Sequence, residues 1–292
     1  MKVIVSTDTS CMIKDGLFSD YEISVFPLNV VIDGEEYLDG VTINQEQLKE
    51  QMRSGKVVKT STPPLGIIQE YFENLLAKGY DHIIHFTISS KLSSMYSLFS
   101  NVAKQNFEGK VTVVDSYLLS VPMLNYVFFA YEQVKLNTPV KQIVSEIEKY
   151  KLLSNLVFIP ENLTALKRGG RISPAIALIG NTLGIKPVII FKDGALEKSE
   201  MTRRARKYFA EKIDEFSKKY PLTEYDYSVF SFDGEQRVLD DIYKHMQTVF
   251  PDYKFIRGYL PVNVCAHCGP GTIGISVTPK LNGKSITEYV NK

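Results

Sequence analysis

The hydrophobic positions of the chain change repeatedly between two spacings. Short β-branched runs, typical of buried strands, alternate with longer segments in which apolar residues recur every three or four positions, as on one face of a helix. The clearest helical segment is 235–250, where Val238, Ile242, Met246 and Val249 form an apolar stripe. The predicted strands are 2–6, 23–32, 82–86, 110–114, 155–159, 185–191, 225–230, 253–257 and 272–277.

This alternation predicts an α/β fold with largely parallel sheets, because parallel strands need a crossover that is usually helical. Two helical patterns, at 118–134 and 140–150, follow each other with no strand between them. We therefore predict two α/β domains, 1–151 and 152–292, with the boundary near Lys151.

The composition is that of an ordinary globular protein. The chain has 292 residues, of which 44% are hydrophobic and 23% charged, and its net charge is +1. Such a charge gives no overall attraction for nucleic acid or an anionic membrane. No apolar run reaches the roughly 18 residues of a membrane span. Three cysteines fit a disulfide framework poorly, so we expect a cytoplasmic protein without membrane insertion.

The stretch "VNVCAHCGPGTIGISV" (262–277) raises the question of a metal site. Cys265 and Cys268 form a single C-x-x-C around His267, whereas a structural zinc ion needs four ligands. If the stretch is extended, Cys265 and His267 lie on one face and Cys268 lies on the other. The sequence therefore predicts no metal here. It leaves His267 either as a ligand contact or as a hydrogen-bonded core histidine.

The glycines of the same stretch match G-x-G-x-x-G at Gly269, Gly271 and Gly274. A dinucleotide-binding fingerprint needs a following helix, whereas the run that follows here is strand-like. The glycines are better explained by tight turns of the backbone next to a ligand.

Hydroxyl side chains cluster before two predicted helices, in "KTSTPP" (59–64) and "ISSKLSSMYSLF" (88–99). N-capping explains one hydroxyl at each helix start. Several of them, together with unpaired backbone N–H groups, also suit a bound oxyanion. The hydroxyls are those of Thr60, Ser61, Thr62, Ser89, Ser90, Ser93 and Ser94.

Two basic stretches and one apolar tract complete the candidate regions. Most cations of "KRGGRISP" (167–174) and "TRRARK" (202–207) are expected in solvent, but one inward arginine could pair with an anion. The tract "SPAIALIGNTLGIKPVII" (173–190) predicts a short buried helix after Pro174. Tight packing and the lining of an apolar tunnel both remain open for it.

Taken in order, these segments resemble the DegV family of bacterial fatty-acid-binding proteins over nearly the whole chain. The resemblance implies two α/β domains with a ligand tunnel near the domain junction. The segments that carry it are "STDTS" (6–10), "IDGEEYLDG" (32–40), "VKTSTP" (58–63), "ISSKLSSMY" (88–96), "VVDS" (113–116), "LKRGGRIS" (166–173), "GIKPVI" (184–189) and "AHCGPGTIG" (266–274).

The resemblance also implies a long-chain fatty acid as ligand, with no cofactor and no metal. Carried over position by position, the carboxylate contacts fall on Thr60, Ser93, Arg203 and His267. Possible secondary contacts are Ser61, Ser94, Gly169, Gly170 and Arg171. Two stretches depart from the family pattern. Ser94-Met95 alters a small residue and a hydroxyl beside the head group, and the bulk of 122–124 would reshape the tunnel or its mouth.

Members of this family include carriers that present the fatty acid to a separate ATP-dependent kinase, which makes acyl-phosphate for phospholipid synthesis. The resemblance therefore implies a non-catalytic carrier, with Arg171, Arg204 and Arg206 as candidates for docking the kinase. The alternative is a small-molecule phosphotransferase or hydrolase that uses His267 and Ser93. That chemistry needs a carboxylate to orient the histidine, and Asp8 or Asp115 would have to supply it.

Overall fold

The structure, a computed structural model, describes residues 1–11, 16–172 and 184–290. Most of the predicted apolar helix in 173–190 therefore lies outside the described residues. The strands are β1 Val3–Asp8, β2 Ile23–Phe26, β3 Asn29–Ile32, β4 Glu35–Leu38, β5 Val58–Ser61, β6 His82–Thr87, β7 Val111–Asp115, β8 Asn155–Ile159, β9 Lys186–Lys192, β10 Ala195–Thr202, β11 Tyr225–Phe232, β12 Ile256–Tyr259 and β13 Thr272–Pro279.

The helices are numbered in chain order over the described residues. They are α1 Gln45–Arg53, α2 Leu65–Ala77, α3 Met95–Asn106, α4 Ser120–Lys135, α5 Val140–Tyr150, α6 Thr164–Gly169, α7 Ala205–Lys219, α8 Gln236–Val249, α9 Val262–Cys268 and α10 Thr287–Val290. The alternation of strands and helices confirms the predicted α/β class.

The first sheet, called here the parallel sheet, has the order β2-β1-β6-β7. Every neighbouring pair in it is parallel, as the sequence pattern predicts. Helices α2 and α3 cover one face, where Phe72 and Phe99 are fully buried. Helix α4 packs against β1.

The second sheet, called here the six-stranded sheet, has the order β10-β9-β8-β13-β11-β12. In this sheet the expectation of largely parallel pairing is corrected, because β11–β12 is the one parallel pair among its described strands and the other pairs are antiparallel. A two-residue turn at Asp193-Gly194 joins β9 to β10, and both residues have positive φ. Such Asp-Gly turns favour antiparallel hairpins. A small antiparallel sheet, β4-β3-β5, contains a second Asp-Gly turn at 33–34.

The predicted strand 23–32 is two strands in two different sheets. β2 belongs to the parallel sheet and β3 to the small sheet. Pro27 lies between them and has no N–H to donate to a ladder, so the chain leaves one sheet there. The backbone N–H of Leu28 donates instead to Oγ1 of Thr9, at 3.0 Å.

Helix α4 lies between the two large sheets. Its residues 120–130 are all buried, and it contacts β1 on one side and β12 and β13 on the other. One continuous hydrophobic cluster therefore includes Phe86 from the parallel sheet and Phe158 and Phe230 from the six-stranded sheet. The domain division at 151 stays a prediction.

Candidate functional site

A pocket of about 840 Å³, counted with its opening, is lined by residues of the small antiparallel sheet and the six-stranded sheet, and by segments that follow strands of the parallel sheet. The wall is mainly apolar, and its larger side chains include Leu119, Leu156, Phe158, Leu196, Phe230 and Leu260. Thr60, Ser61, Ser93, Arg171 and His267 line the same pocket.

His267 reaches the pocket from helix α9, which corrects the extended conformation assumed for this stretch. The helix begins after Pro261 and ends at Gly269, whose φ is +78°. Glycine adopts such a positive φ without steric cost, which suits it to the position after the last helical residue. Cys265 and Cys268 are therefore three residues apart on a helix, and both are buried and free.

Asp39, from the N-terminal part of the chain, binds the first residues of α9. Its Oδ1 accepts a hydrogen bond from the N–H of Val262 at 3.2 Å, and its Oδ2 accepts one from the N–H of Asn263 at 3.0 Å. Burial raises the pKa of Asp39 to about 7, and these two hydrogen bonds oppose the shift. The position of the histidine-bearing helix thus depends on a buried carboxyl group outside the pocket.

The side chains of Thr60 and His267 are in direct contact. Thr60 Oγ1 and His267 Nε2 lie 2.9 Å apart, within hydrogen-bonding distance. The other side of the ring lies against Gly169, where an added Cβ would be 2.1 Å from His267 Nδ1. Burial, reinforced by the charge of Arg171, lowers the pKa of His267 to about 4. The imidazole is therefore neutral near pH 7.

Arg171 is the inward cation of the two basic stretches. Its Nε donates to the carbonyl oxygen of Leu92 at 3.0 Å, and its Nη1 donates to that of Gly169 at 2.5 Å. Gly170, with φ +68°, ends helix α6 and turns the chain so that Arg171 follows. Burial lowers the pKa of Arg171. The guanidinium group thus contributes positive charge to the pocket wall.

The hydroxyl residues occupy two different settings. Thr60 and Ser61 end strand β5 and do not begin a helix, because Pro63 and Pro64 separate them from α2. Ser61 Oγ donates to Oε1 of Glu36 at 3.0 Å. Ser93 lies just before α3, and not in its first turn as the sequence pattern predicts, and its Oγ accepts from the N–H of Met95 at 3.4 Å.

A wider opening adjoins the pocket. It shares Leu92, Ser93, Arg171 and Leu196 with the pocket, and the exposed Ser94 also lines it. Ser93 and Arg171 therefore lie where the two spaces meet.

The structure does not bring Arg203 to the pocket. This residue is exposed between β10 and α7, and it is absent from the described residues that line the pocket. Arg204 is also exposed, and Arg206 forms an ion pair with Asp241. The assignment of Arg203 as a carboxylate contact stays a prediction.

Asp8 and Asp115, the carboxylates that an enzyme would need to orient His267, accept hydrogen bonds from backbone N–H groups instead. Oδ2 of Asp8 accepts from the N–H of Ile88 at 2.9 Å. Oδ1 of Asp115 accepts from the N–H groups of Ser90 and Tyr117, each at 3.1 Å. Both carboxylates stabilise loops after the parallel strands, and among the described residues no carboxylate is hydrogen-bonded to His267.

Asn263 is a buried polar residue of the pocket that the sequence analysis did not predict. It lines the pocket, it is 5% exposed, and neither side-chain polar atom has a hydrogen-bond partner among the described residues. The available signal was a single polar residue in the otherwise apolar run "LPVNVCA" (260–266).

Residues 1–11, 16–172 and 184–290 contain neither a candidate metal site nor a membrane-spanning helix. Within them, no group of three or more histidine, cysteine, aspartate or glutamate side chains could hold a metal ion. No helix in this part of the chain has the length and apolarity needed to cross a membrane.

Fold and pocket together define an α/β protein with an apolar pocket and a cluster of polar side chains in its wall. The chain belongs to the DegV family, because the family model, described as an uncharacterised protein of the DegV family, matches residues 2–280. A DegV domain-containing protein of Staphylococcus aureus is 30% identical over 287 residues, which cover 96% of this chain and 99% of that protein.

Two solved structures show the same fold. One is a DegV family protein from Thermus thermophilus, described in terms of its fatty acid binding. It is 25% identical with a TM-score of 0.84, covering 96% of this chain and 100% of that one. The other is DegV from Bacillus subtilis, described as a fatty acid binding protein. It is 26% identical with a TM-score of 0.81, at the same coverage of both chains.

Proposed function

We propose that this protein binds a long-chain fatty acid, with the acyl chain in a tunnel formed by the pocket and the carboxylate beside Thr60, Ser93 and His267. The observation behind the proposal is that an apolar wall meets a cluster of polar side chains in one pocket. These side chains come from strand β5, from the segment before α3, from the turn after α6 and from helix α9. The two related structures described as fatty acid binding support it.

The energetics of the ligand fit such a pocket. Burial of a C16–C18 acyl chain, at about 0.8 kcal/mol per methylene, makes on the order of 12 kcal/mol available. A buried carboxylate is costly unless it is hydrogen-bonded and balanced in charge. The hydroxyls of Thr60 and Ser93 can donate hydrogen bonds, and the charge of Arg171 is close to His267. These groups make burial of the carboxylate favourable.

We further propose that the protein is a non-catalytic carrier that presents its fatty acid to a separate ATP-dependent kinase in the cytoplasm. This step rests on the family resemblance, and Arg204, as an exposed cation, is a candidate contact for the kinase. An enzymatic role for His267 and Ser93 has less support, because the described contacts of His267 include no carboxylate that would orient it as a base.

Denaturing extraction of the purified protein, followed by lipid mass spectrometry, tests the proposal. A fatty acid in about one-to-one ratio with the chain is expected. A protein that contains none, and that does not bind added palmitic acid, would contradict the proposal. Hydrolysis of an acyl or phosphoryl ester by such a protein would favour the enzyme.

The cation that balances the carboxylate is identified by comparing Arg171→Met with Arg203→Met. Methionine keeps much of the aliphatic length of arginine and removes the charge. The larger loss of palmitic acid affinity is expected for Arg171, because it lines the pocket and Arg203 is exposed. A larger loss for Arg203 would instead support the contact that the family resemblance implies.

A further inference from the structure

The side-chain amide of Asn263 is buried against the pocket without a hydrogen bond. The residue is 5% exposed, and both Nδ2 and Oδ1 lack partners among the described residues. Its backbone N–H is already bonded to Asp39, so the unpaired groups are those of the side chain. Buried polar groups are nearly always paired, because leaving them unpaired is costly. The amide therefore points to a partner outside the described residues, and a bound ligand in the pocket is such a partner.

The chemistry of an amide restricts that partner. The Nδ2 group donates hydrogen bonds and Oδ1 accepts them, so the partner must be able to accept and donate. An alkyl chain does neither, and an ionised carboxylate only accepts. A hydroxyl group does both, and it is small enough to be carried by an acyl chain inside an apolar pocket.

The position of Asn263 places that hydroxyl along the chain of the ligand. Asn263 and His267 are four residues apart on α9, so they share a face of the helix about 6 Å apart along its axis. Both residues line the pocket, and the apolar side chains of Leu260 and Val264 line it beside them. With the carboxylate at His267, a group beside Asn263 is a few carbon atoms further along.

We infer that the pocket prefers acyl chains that carry a hydroxyl a few carbons from the carboxylate, which the Asn263 amide recognises with both of its polar atoms. The inference rests on the proposed function, since it takes the carboxylate to bind at Thr60 and His267. Asn263 is then a specificity-determining residue and is not needed for binding of an unsubstituted acid.

The test compares the affinity for palmitic acid with that for a series of palmitic acids, each with one hydroxyl at a different distance from the carboxylate. The wild-type protein is expected to bind the best hydroxy acid about tenfold more tightly than palmitic acid, equivalent to about 1.4 kcal/mol. Asn263→Leu, which has a similar size and no polar atom, should abolish this preference. Val264→Leu changes the neighbouring pocket residue without touching the amide, so it should retain the preference.

An equal ratio of the two affinities in wild type and Asn263→Leu would overturn the inference. Such an equal ratio is expected if the amide is paired with a bound water molecule, because the water then affects the affinity for every acid equally. If Asn263→Leu does not fold, Asn263→Ala replaces it, and an undiminished preference in that variant is equally contradictory. Failure of the wild type to bind any of the acids would contradict the proposed function itself, whereas binding without preference contradicts this inference alone.

Discussion

The two histidines His85 and His267 are both held neutral, but they belong to regions with different roles. His85 is fully buried in the parallel sheet, where its ring stacks on Phe99 with centroids 4.1 Å apart. Its Nδ1 lies 2.8 Å from Oγ of Ser6. His267 is half-buried in the pocket wall, with Thr60 on one side and Gly169 on the other.

Burial lowers the pKa of both side chains, that of His85 to about 3 and that of His267 to about 4. A perturbed pKa therefore does not distinguish a core histidine from one in a binding site. The distinguishing feature is the cavity, because His267 lines the pocket and His85 packs among aromatic rings. His85 is thus a hydrogen-bonded core histidine, whereas His267 lines a pocket, and its contact with a ligand stays a prediction.

The largest expected effect is on stability, at His85. His85→Ala should lower the free energy of unfolding by about 3 kcal/mol, because it leaves a cavity next to Phe72 and Phe99. Denaturant unfolding measures this change. His85→Phe keeps a ring of similar shape and should restore most of the stability. Palmitic acid affinity should stay unchanged in both variants, and a clear loss of affinity in His85→Phe would contradict the separation of roles.

The next effect is on affinity, at His267. His267→Ala should weaken palmitic acid binding about thirtyfold, which corresponds to about 2 kcal/mol for a lost hydrogen bond to a charged group. Titration calorimetry measures the affinity. Thr60→Val, which removes the hydroxyl at nearly constant shape, should show a smaller loss. Unchanged affinity in both variants would exclude this pair from the carboxylate site.

A third variant displaces His267 without replacing it. In Gly169→Ala the new Cβ would lie 2.1 Å from Nδ1 of His267, so the ring has to move. We expect a loss of palmitic acid affinity of about tenfold, equivalent to about 1.4 kcal/mol. Gly66→Ala is the matched control, because Gly66 lies in α2 and an added Cβ there meets no atom within 4 Å. An equal effect in the two variants would show that the ring contact is unimportant.

The smallest effect is a change in protonation. A bound carboxylate favours the imidazolium ion, so palmitic acid should raise the pKa of His267 from about 4 and leave that of His85 near 3. NMR titration of the two imidazole rings measures both values. An equal shift of both, or of neither, would contradict a carboxylate beside His267.

The same two values give the contribution of these two histidines to the pH dependence of stability in the ligand-free protein. Both pKa values are lower in the folded state than the ordinary value of 6.5. The stability contributed by each histidine is therefore fully present above about pH 6.5. It is lost as the pH falls, through about 4 for His267 and about 3 for His85.

The sequence predicted the α/β class and the family, because alternating spacings and ordered motifs are properties of the chain itself. The antiparallel order of the six-stranded sheet was missed, although the turn Asp193-Gly194 is a local signal for it. The Asp39 contact to α9 could not be read from sequence, since its partners are separated from it by 223 and 224 residues. Nor could the sequence decide between Arg171 and Arg203, because the direction of an arginine depends on tertiary packing.

The buried helix α4 has a consequence for synthesis of the chain. It is translated before any strand of the six-stranded sheet exists, so the face that later meets β12 and β13 has nothing to cover it when it leaves the ribosome. The N-terminal half of the polypeptide therefore exposes a hydrophobic surface until the C-terminal half has been made, and a chaperone could bind that surface. Two halves expressed together should assemble, whereas the first half alone should precipitate.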